Sequence, residues 1–172
     1  MLNSDWPREK WVVLDTNFLI DYYSKQESYA ELLEQLRKNE NTISSTELVR
    51  TEFIRSRTKD VVRSKSAFFN KIVESLLPLD KEIHKLVQPT IETYGQDIEG
   101  VSLTDIYLAC VIQRYRQVYL LTRDHHDFPT RLFDRTHVFL IELNKEIKTY
   151  ALYQYRKPEE KKIDAEIEEI PF

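Results

Sequence analysis

Short apolar runs alternate with amphipathic stretches along most of this chain, and the alternation predicts strands and helices in turn. The predicted strands are 12–15, 41–43, 77–79, 118–121 and 138–141. Apolar residues at helical spacing predict helices at 18–23, 28–38, 44–56, 60–76, 81–94 and 103–115. Short strands separated by helices are typical of α/β proteins, in which helices cover both faces of a parallel sheet. We therefore expect an α/β fold with a parallel sheet.

Individual residues predict where some of these elements begin, bend or lie. Ser44 stands three residues before Glu47, which is the spacing of a capping box at the start of the third helix. Pro78 cannot donate a backbone hydrogen bond, so its strand should lie at an edge of the sheet. Pro89 predicts a kink or a break in the fifth helix. The sixth helix is apolar nearly all round and should lie deep in the fold.

The end of the chain differs in composition from the rest. Residues 153–172 contain four basic and six acidic residues, and apolar residues become sparse from Arg156 onward. We therefore predict a single domain over residues 1–152 and a charged tail over residues 153–172, either mobile or docked on a partner. The aromatic residues Tyr150, Tyr153 and Tyr155 could serve a contact between subunits or close the core.

Composition excludes several classes of protein. Cys110 is the only cysteine, so neither an internal disulfide nor a cysteine-based zinc site can form, and a reducing cytoplasm is the simplest location. No stretch approaches the length of a membrane-spanning helix, and the first ten residues lack the apolar segment of a signal peptide. The two glycines, Gly95 and Gly100, exclude a Walker A loop and a glycine-rich dinucleotide motif.

The net charge of −4 argues weakly against a nucleic-acid partner. Its distribution softens that argument, because seven basic residues outnumber two acidic residues between Arg50 and Lys71. Such a patch could receive phosphate groups. The alternative is a solvated helix face, which is the more common role of a run of charges.

Four carboxylates occupy positions that suggest a site. Asp15 and Asp124 follow the first and fourth predicted strands, and ligands of open α/β sheets bind at the carboxyl ends of strands. Glu52 shares a helix face with apolar residues, and Asp105 lies in the first turn of the deepest helix. Convergent carboxylates suit hard cations such as Mg²⁺ and Mn²⁺.

Each of these carboxylates also has a simpler interpretation. Asp15 could cap the helix that follows it, and Asp124 could be a turn residue. Glu52 could lie on the surface, paired with a nearby basic residue. Asp105 stands three residues after Ser102 and could complete a capping box. The joint pattern favours a metal site more than any one member does.

Four segments resemble the PIN-domain family of nucleases, and in particular the small prokaryotic toxins of toxin–antitoxin pairs. The resemblance spans about residues 11–143 and rests on Val12–Asn17, Thr51–Phe53, Ser102–Ala109 and Leu121–Phe128. It implies a three-layer α/β/α fold with a parallel sheet of roughly five strands. It also implies metal-dependent cleavage of phosphodiester bonds, usually in RNA. A dimer of the chain and an antitoxin protein become candidate partners, with the charged tail and the extended N-terminus as departures from a compact toxin.

The resemblance implies roles for individual residues. The catalytic carboxylates would be Asp15, Glu52, Asp105 and Asp124. Metal ligands, for Mg²⁺ or Mn²⁺, would be Asp15, Asp105 and Asp124. Residues supporting the site would be Asn17, Thr122 and Asp127, with Asp127 an alternative to Asp124 as the fourth acid. Basic residues that could grip the substrate backbone are Arg50, Arg55 and Arg123.

Competing hypotheses remain open at this stage. The fold could bind RNA or a protein without cutting, and the discriminating observation is whether Glu52 and Asp105 converge on Asp15. A phosphatase of the haloacid-dehalogenase type needs an aspartate two residues after the first, where this chain has Asn17. A receiver domain would need a pair of acids at the end of the first strand. The histidine pair 125–126 could bind zinc or simply be exposed and polar, and the second is more common.

Overall fold

A computed structural model describes residues 6–156, which form six strands and six α-helices. The strands are β1 (Trp11–Leu14), β2 (Thr42–Thr46), β3 (Ser75–Leu77), β4 (Val118–Thr122), β5 (Phe133–Leu143) and β6 (Glu146–Tyr155). The helices are α1 (Thr16–Ser24), α2 (Gln26–Lys38), α3 (Glu47–Ile54), α4 (Lys59–Ile72), α5 (Lys81–Tyr94) and α6 (Leu103–Arg114). None of these helices combines the length and the apolar character needed to cross a membrane.

The six strands form one mixed sheet in the order β3-β2-β1-β4-β6-β5. The four strands from β3 to β4 are parallel, whereas β6 runs antiparallel to both β4 and β5. The α/β class is confirmed, but the prediction of a wholly parallel sheet of about five strands is wrong. The reason is local, since only Asn144 and Lys145 join β5 to β6. Two residues can close an antiparallel hairpin but cannot carry a parallel crossover.

The sixth strand continues past the predicted end of the domain. Tyr150 and Tyr153 are buried, and Tyr153 pairs with Leu120 of β4. These two tyrosines therefore close the core, which was one of the two predicted alternatives. Because β6 extends to Tyr155, the predicted start of the tail at residue 153 is wrong. Residues 157–172 of that tail lie outside the described residues.

The order of the strands places one crevice at the carboxyl ends of β1 and β4. The chain passes from β1 to β2 on one side, while β4 adds to β1 on the other, so the direction of winding switches between them. Ligands of open α/β sheets bind at such a switch point. The side chains of Val12, Val13 and Leu14 have no exposed surface, which fixes β1 firmly in the centre of the core.

The cap of α3 lies two residues after the predicted one. Ser44 belongs to β2, where its buried Oγ donates to the Val12 carbonyl at 3.3 Å. Thr46 caps α3 instead, because its Oγ1 accepts a hydrogen bond from the backbone N–H of Val49 at 3.3 Å. The polar run from Ser44 to Thr46 is wholly buried, so burial in the sheet outweighed the local capping pattern.

The structure tests the predictions made for Pro78 and Pro89. β3 is an edge strand, as predicted, and Pro78 follows its last residue rather than lying inside it. Of the two alternatives predicted for Pro89, a kink or a break, the break is wrong, because α5 runs without interruption from Lys81 to Tyr94. Pro89 and Lys85 are both exposed, so water can solvate the Lys85 carbonyl that loses its helical hydrogen bond.

Candidate active site at the carboxyl ends of β1 and β4

Asp15 follows β1 directly and has only 3% of its surface exposed. Its Oδ1 accepts a hydrogen bond from the backbone N–H of Thr16 at 2.5 Å, so Asp15 caps α1. Its Oδ2 accepts hydrogen bonds from Thr122 Oγ1 at 2.6 Å and from Asn17 Nδ2 at 2.7 Å. The capping role is therefore real, and it points the second oxygen toward the end of β4.

Asn17 and Thr122 join the two strand ends. Asn17 Nδ2 also donates to Thr122 Oγ1 at 2.9 Å, and Asn17 Oδ1 accepts from the backbone N–H of Arg123 at 3.4 Å. Thr122 has no exposed surface, and its hydroxyl accepts a further hydrogen bond from the Asp124 N–H at 3.0 Å. These bonds hold Asp15 in one orientation from two sides. Two of the three predicted supporting residues, Asn17 and Thr122, thus contact Asp15.

Glu52 and Asp124 both lie close enough to Asp15 for their charges to act on it. Thr16 Oγ1 donates to Glu52 Oε2 at 2.7 Å, which fixes Glu52 of α3 beside the start of α1. Asp124 is half-buried, and its Oδ1 accepts from the Asp127 N–H at 3.4 Å. Burial is the main cause that raises the pKa of Asp15, and the negative charges of Glu52 and Asp124 raise it further. Glu52 therefore faces the site, and its hydrogen-bond partner is a threonine rather than a basic surface residue.

Asp105 approaches Asp15 from α6. Ser102 caps this helix by accepting from the Asp105 N–H at 3.1 Å, and its hydroxyl donates a very short hydrogen bond to Asp105 Oδ2. The Ser102 capping pattern is thus confirmed, and it coexists with a place in the site. Burial is the main cause that raises the pKa of Asp105, and a hydrogen bond that protonated Asp105 donates to the side chain of Asp127, which is also buried, acts in the same direction. Asp127 belongs to the site at least as closely as Asp124 does.

Negative charge is concentrated in this crevice, and the contact of His126 with Asp127 offsets only part of it. The acidic cluster consists of Asp15, Glu52, Asp105, Asp124 and Asp127. Burial is the main cause that raises the pKa of Asp15 to about 6, although hydrogen bonds from Thr122 and Thr16 oppose it. Burial, followed by the charge of Asp15, raises the pKa of Asp105 to about 7. A cation bound here would relieve both effects.

The donor chemistry of the cluster fits a hard divalent cation. All five side chains offer carboxylate oxygens, the ligand type that Mg²⁺ and Mn²⁺ prefer. Within residues 6–156, no three aspartate, glutamate, histidine or cysteine side chains are already arranged as a set that could hold an ion. Mg²⁺ retains several waters in proteins and needs only one or two direct carboxylates, so a complete set of ligands is not required.

The predicted substrate-binding arginines have different surroundings. Arg50 forms an ion pair with Glu47 at 2.8 Å on α3. Arg55, just after α3, is exposed and has no ion pair or hydrogen-bonded side chain among the described residues. Arg123 lies beside the acidic cluster, and its Nε contacts Asp21 Oδ2 at 3.0 Å. Arg55 and Arg123 therefore retain donors for a ligand.

A second polar cluster, the Asp21 network, escaped sequence reasoning. Asp21 of α1 is 9% exposed and binds Arg123, Lys148 and Tyr150. Lys148 Nζ contacts it at 2.8 Å, and the Tyr150 hydroxyl contacts it at 2.5 Å. Burial tends to raise the pKa of Asp21, but these hydrogen bonds and charges outweigh it and lower the pKa. The position of an acid between Ile20 and Tyr22 on an apolar helix was the one feature of the sequence that could have indicated this network.

The two histidines after Asp124 differ from each other. The side chain of His126 is 75% exposed and contacts Asp127 Oδ1 at 3.0 Å, which raises the pKa of His126. His125 is half-buried, and its Nδ1 lies 2.6 Å from the Tyr153 hydroxyl. The prediction of exposed polar residues is thus confirmed for His126 and wrong for His125. The zinc alternative gains no support within residues 6–156.

Replacing Ser102 with alanine should lower the free energy of unfolding by about 1 kcal/mol, because α6 loses the cap that Ser102 provides. Urea unfolding measures the loss. Thr58→Ala is the matched control, since Thr58 occupies the N-cap of α4 without a capping hydrogen bond from its side chain. Equal losses in the two variants would show that the Ser102 cap contributes nothing specific.

Comparison with known proteins gives one match. The model of the PIN domain family matches residues 12–130, a range that contains every member of the acidic cluster. Neither comparison with curated proteins nor comparison with solved structures gave a match. The matched range covers more than half of the chain and includes β1, β4 and α6, the three elements that build the crevice.

Proposed function

The chain belongs to the PIN-domain family, and from that premise we propose that it is a metal-dependent endoribonuclease. PIN domains are generally metal-dependent nucleases, which makes hydrolysis of phosphodiester bonds the expected reaction class. The observation that carries the proposal is the convergence of Glu52, Asp105 and Asp124 on the buried Asp15. Such a group of carboxylates costs stability unless a bound cation offsets it.

Each residue of the cluster has a proposed role. Asp15, Asp105 and Asp124 would hold Mg²⁺ or Mn²⁺ directly or through water, with Asp127 able to replace Asp124. A bound cation supplies charge neutralisation at the phosphate and makes a nearby water easier to deprotonate. Glu52 has one oxygen engaged by Thr16, so its other oxygen can orient that water or accept its proton.

A second candidate function is binding of RNA or of a protein without cleavage. The convergence of Glu52 and Asp105 on Asp15 argues against it. One observation favours it, namely that within residues 6–156 no three potential ligand side chains are already arranged as a set that could hold an ion. The two candidates differ in whether a divalent cation brings about cleavage.

Incubation with mixed short RNAs tests the proposal. We expect cleavage with Mg²⁺ or Mn²⁺ and none with EDTA, and we expect circular single-stranded RNA to be opened, because only an endonuclease can cut it. Single-stranded DNA and duplex RNA of the same sequence define the substrate class. Asp15→Asn protein purified in parallel controls for contaminating ribonuclease. Binding of RNA without cleavage under any of these metal conditions would favour the second candidate.

We further propose that the nuclease acts in the cytoplasm as the toxin of a toxin–antitoxin pair, a role supported only by the resemblance of its motifs. Induced expression of the wild-type chain should then arrest growth, whereas Asp15→Asn should not. Co-expression of a small protein encoded beside it should restore growth. Normal growth during strong expression of an active nuclease would contradict the toxin role and leave the nuclease proposal intact.

A further inference from the structure

The Asp21 network contains more positive charge than the buried carboxylate requires. Lys148 Nζ lies 2.8 Å from Asp21 Oδ1, and the Tyr150 hydroxyl donates to Oδ2 at 2.5 Å. Those two contacts already give each oxygen a partner and the carboxylate a counter-charge. Arg123 Nε is a second cation on the same carboxylate, at 3.0 Å from Oδ2. Lys148 also contacts Glu146 at 3.8 Å, so Arg123 is a second cation on Asp21 and not its only counter-charge.

The two cations are not equally accessible. The side chain of Arg123 is 45% exposed, whereas that of Lys148 is 22% exposed. A guanidinium has five N–H donors in a planar fork, and Asp21 engages Arg123 through Nε. The backbone of Arg123 is held as well, because its N–H donates to Asn17 Oδ1. Arg123 is thus a partly exposed cation whose backbone is held by Asn17 and whose guanidinium is held by Asp21.

We propose that Asp21 is a positioning residue, which holds Arg123 as a phosphate-binding side chain at the rim of the acidic cluster. The inference rests on the proposed function for the identity of its ligand, a phosphate of a nucleic acid strand. That phosphate is not the one cleaved but a neighbour along the strand. Tyr150 and Lys148 in turn hold Asp21 in place through their hydrogen bonds to its carboxylate.

Electrostatics explains why Arg123 must be held in place by Asp21. The acidic cluster repels the phosphate backbone that must approach it, and a nearby cation offsets this repulsion. An arginine at this position without Asp21 would be drawn onto Asp124 or Asp127, which follow it by one and four residues in the chain. Asp21 competes for the guanidinium from the other side and keeps it out of the cluster. An arginine suits the task because one edge can bind Asp21 while another binds phosphate.

Binding measured without cleavage tests this inference. Fluorescence anisotropy of a labelled short single-stranded RNA in EDTA gives Kd for the wild type and for Arg123→Ala, Asp21→Asn and the double variant. We expect each single variant to raise Kd by about 5- to 10-fold and to lower the slope of log Kd against log salt by about 0.7, the value for one phosphate contact. Because Asp21 acts through Arg123, the double variant should bind no more weakly than Arg123→Ala.

Other outcomes overturn the inference. Tighter binding by Asp21→Asn would show that Asp21 acts only as a negative charge. Unchanged binding with a lower Tm would show that the network serves stability alone. Arg156→Ala, which removes a similarly exposed arginine from its ion pair with Asp134, is the matched control and should change Kd less than 2-fold.

Arg123→Lys separates charge from geometry and decides the matter if Asp21→Asn does not fold. A lysine that binds Asp21 has no second edge for phosphate, so we expect its Kd to resemble that of Arg123→Ala. Wild-type affinity in Arg123→Lys would overturn the inference. Cleavage by the wild type with metal is scored separately. Active cleavage with unaltered binding in every variant refutes only the inference, and binding that depends on Arg123 without cleavage refutes only the nuclease proposal.

Discussion

Replacement of Asp15 by asparagine should lower metal-dependent RNA cleavage by roughly 1000-fold, the largest effect expected of any single change in this protein. Asp15 is the most buried member of the acidic cluster and the one whose pKa responds to both Glu52 and Asp124. An amide removes the negative charge that attracts a cation, and it keeps nearly the same volume. Initial rates on a short RNA at saturating Mn²⁺ measure the change.

The loss should not come from unfolding. At neutral pH the ionised Asp15 carries a net unfavourable energy of about 3 kcal/mol, mainly from burial, since its pKa is raised to about 6 from 3.8. Asparagine removes that cost, although its Nδ2 would face the donors of Asn17 and Thr122, which returns about 1–2 kcal/mol. The metal-free variant should therefore unfold at a Tm equal to or above that of the wild type.

Asp134→Asn is the matched control for this change. Asp134 lies near the opposite edge of the sheet, at the start of β5, and pairs with Arg156 on the surface. The same chemical substitution there should leave cleavage within about 2-fold of the wild type. Full activity in folded Asp15→Asn protein would contradict both the metal site and the central place of Asp15 in it.

Sequence reasoning succeeded where local pattern and tertiary position agree. The run Val12–Leu14 is apolar without alternation, and only a central strand buried on both faces tolerates that pattern. The residue after such a strand must emerge at the carboxyl edge, so the place of Asp15 followed from the strand. Asp105 followed in the same way from Ser102, because the cap fixes where α6 begins and its third residue points back toward the cap.

Sequence reasoning failed where distant residues decide the local structure. β6 contains the apolar run Tyr150–Tyr153 between polar residues, and it lies in the sheet because β4 offers a free edge beside it. Ser44 lost its capping role because β2 is paired on both sides, with β1 and with β3. No short-range pattern reports either condition. The Asp21 network has the same character, since Asp21 and Lys148 are 127 residues apart.

The fourth acid of the site illustrates an intermediate case. The sequence offers Asp124 and Asp127 three residues apart and cannot choose between them. The loop after β4 turns because Thr122 accepts a hydrogen bond from the Asp124 N–H at 3.0 Å, and Asp124 accepts one from the Asp127 N–H at 3.4 Å. That turn places Asp124 beside Asp15 and Asp127 against Asp105. Both acids therefore enter the cluster through different neighbours, a result that depends on backbone geometry rather than on residue type.

In the absence of divalent cations, the protein should be less stable at about pH 8 than at about pH 5. The folded-state pKa values of Asp15 and Asp105 are raised to about 6 and about 7, above the ordinary value of 3.8. A raised carboxyl pKa gives stability that is complete below the ordinary value and is lost as the pH rises through the folded-state value. In EDTA we expect Tm to fall by about 5–10 °C over this range, measured by circular dichroism.

Other groups do not reverse that sign. Asp21, whose pKa is lowered, gives stability that is lost only as the pH falls below its ordinary range, outside this window. His126 has a raised pKa and contributes in the same direction as the buried acids, so His126→Gln measures its share. Asp15→Asn should abolish a large part of the pH dependence, whereas Asp134→Asn should preserve it.

Addition of Mg²⁺ or Mn²⁺ should cancel this loss at about pH 8 and have little effect at about pH 5, because a cation binds ionised carboxylates and competes with protons for them. A cation present at 100 times its Kd adds about 2.7 kcal/mol to the free energy of unfolding. The same ionic strength supplied as KCl separates binding from screening, which acts weakly on buried charges. If Tm in EDTA is equal at the two pH values, the acidic cluster bears no uncompensated charge. In that case the electrostatic argument for a cation in this crevice fails, whatever the family of the chain.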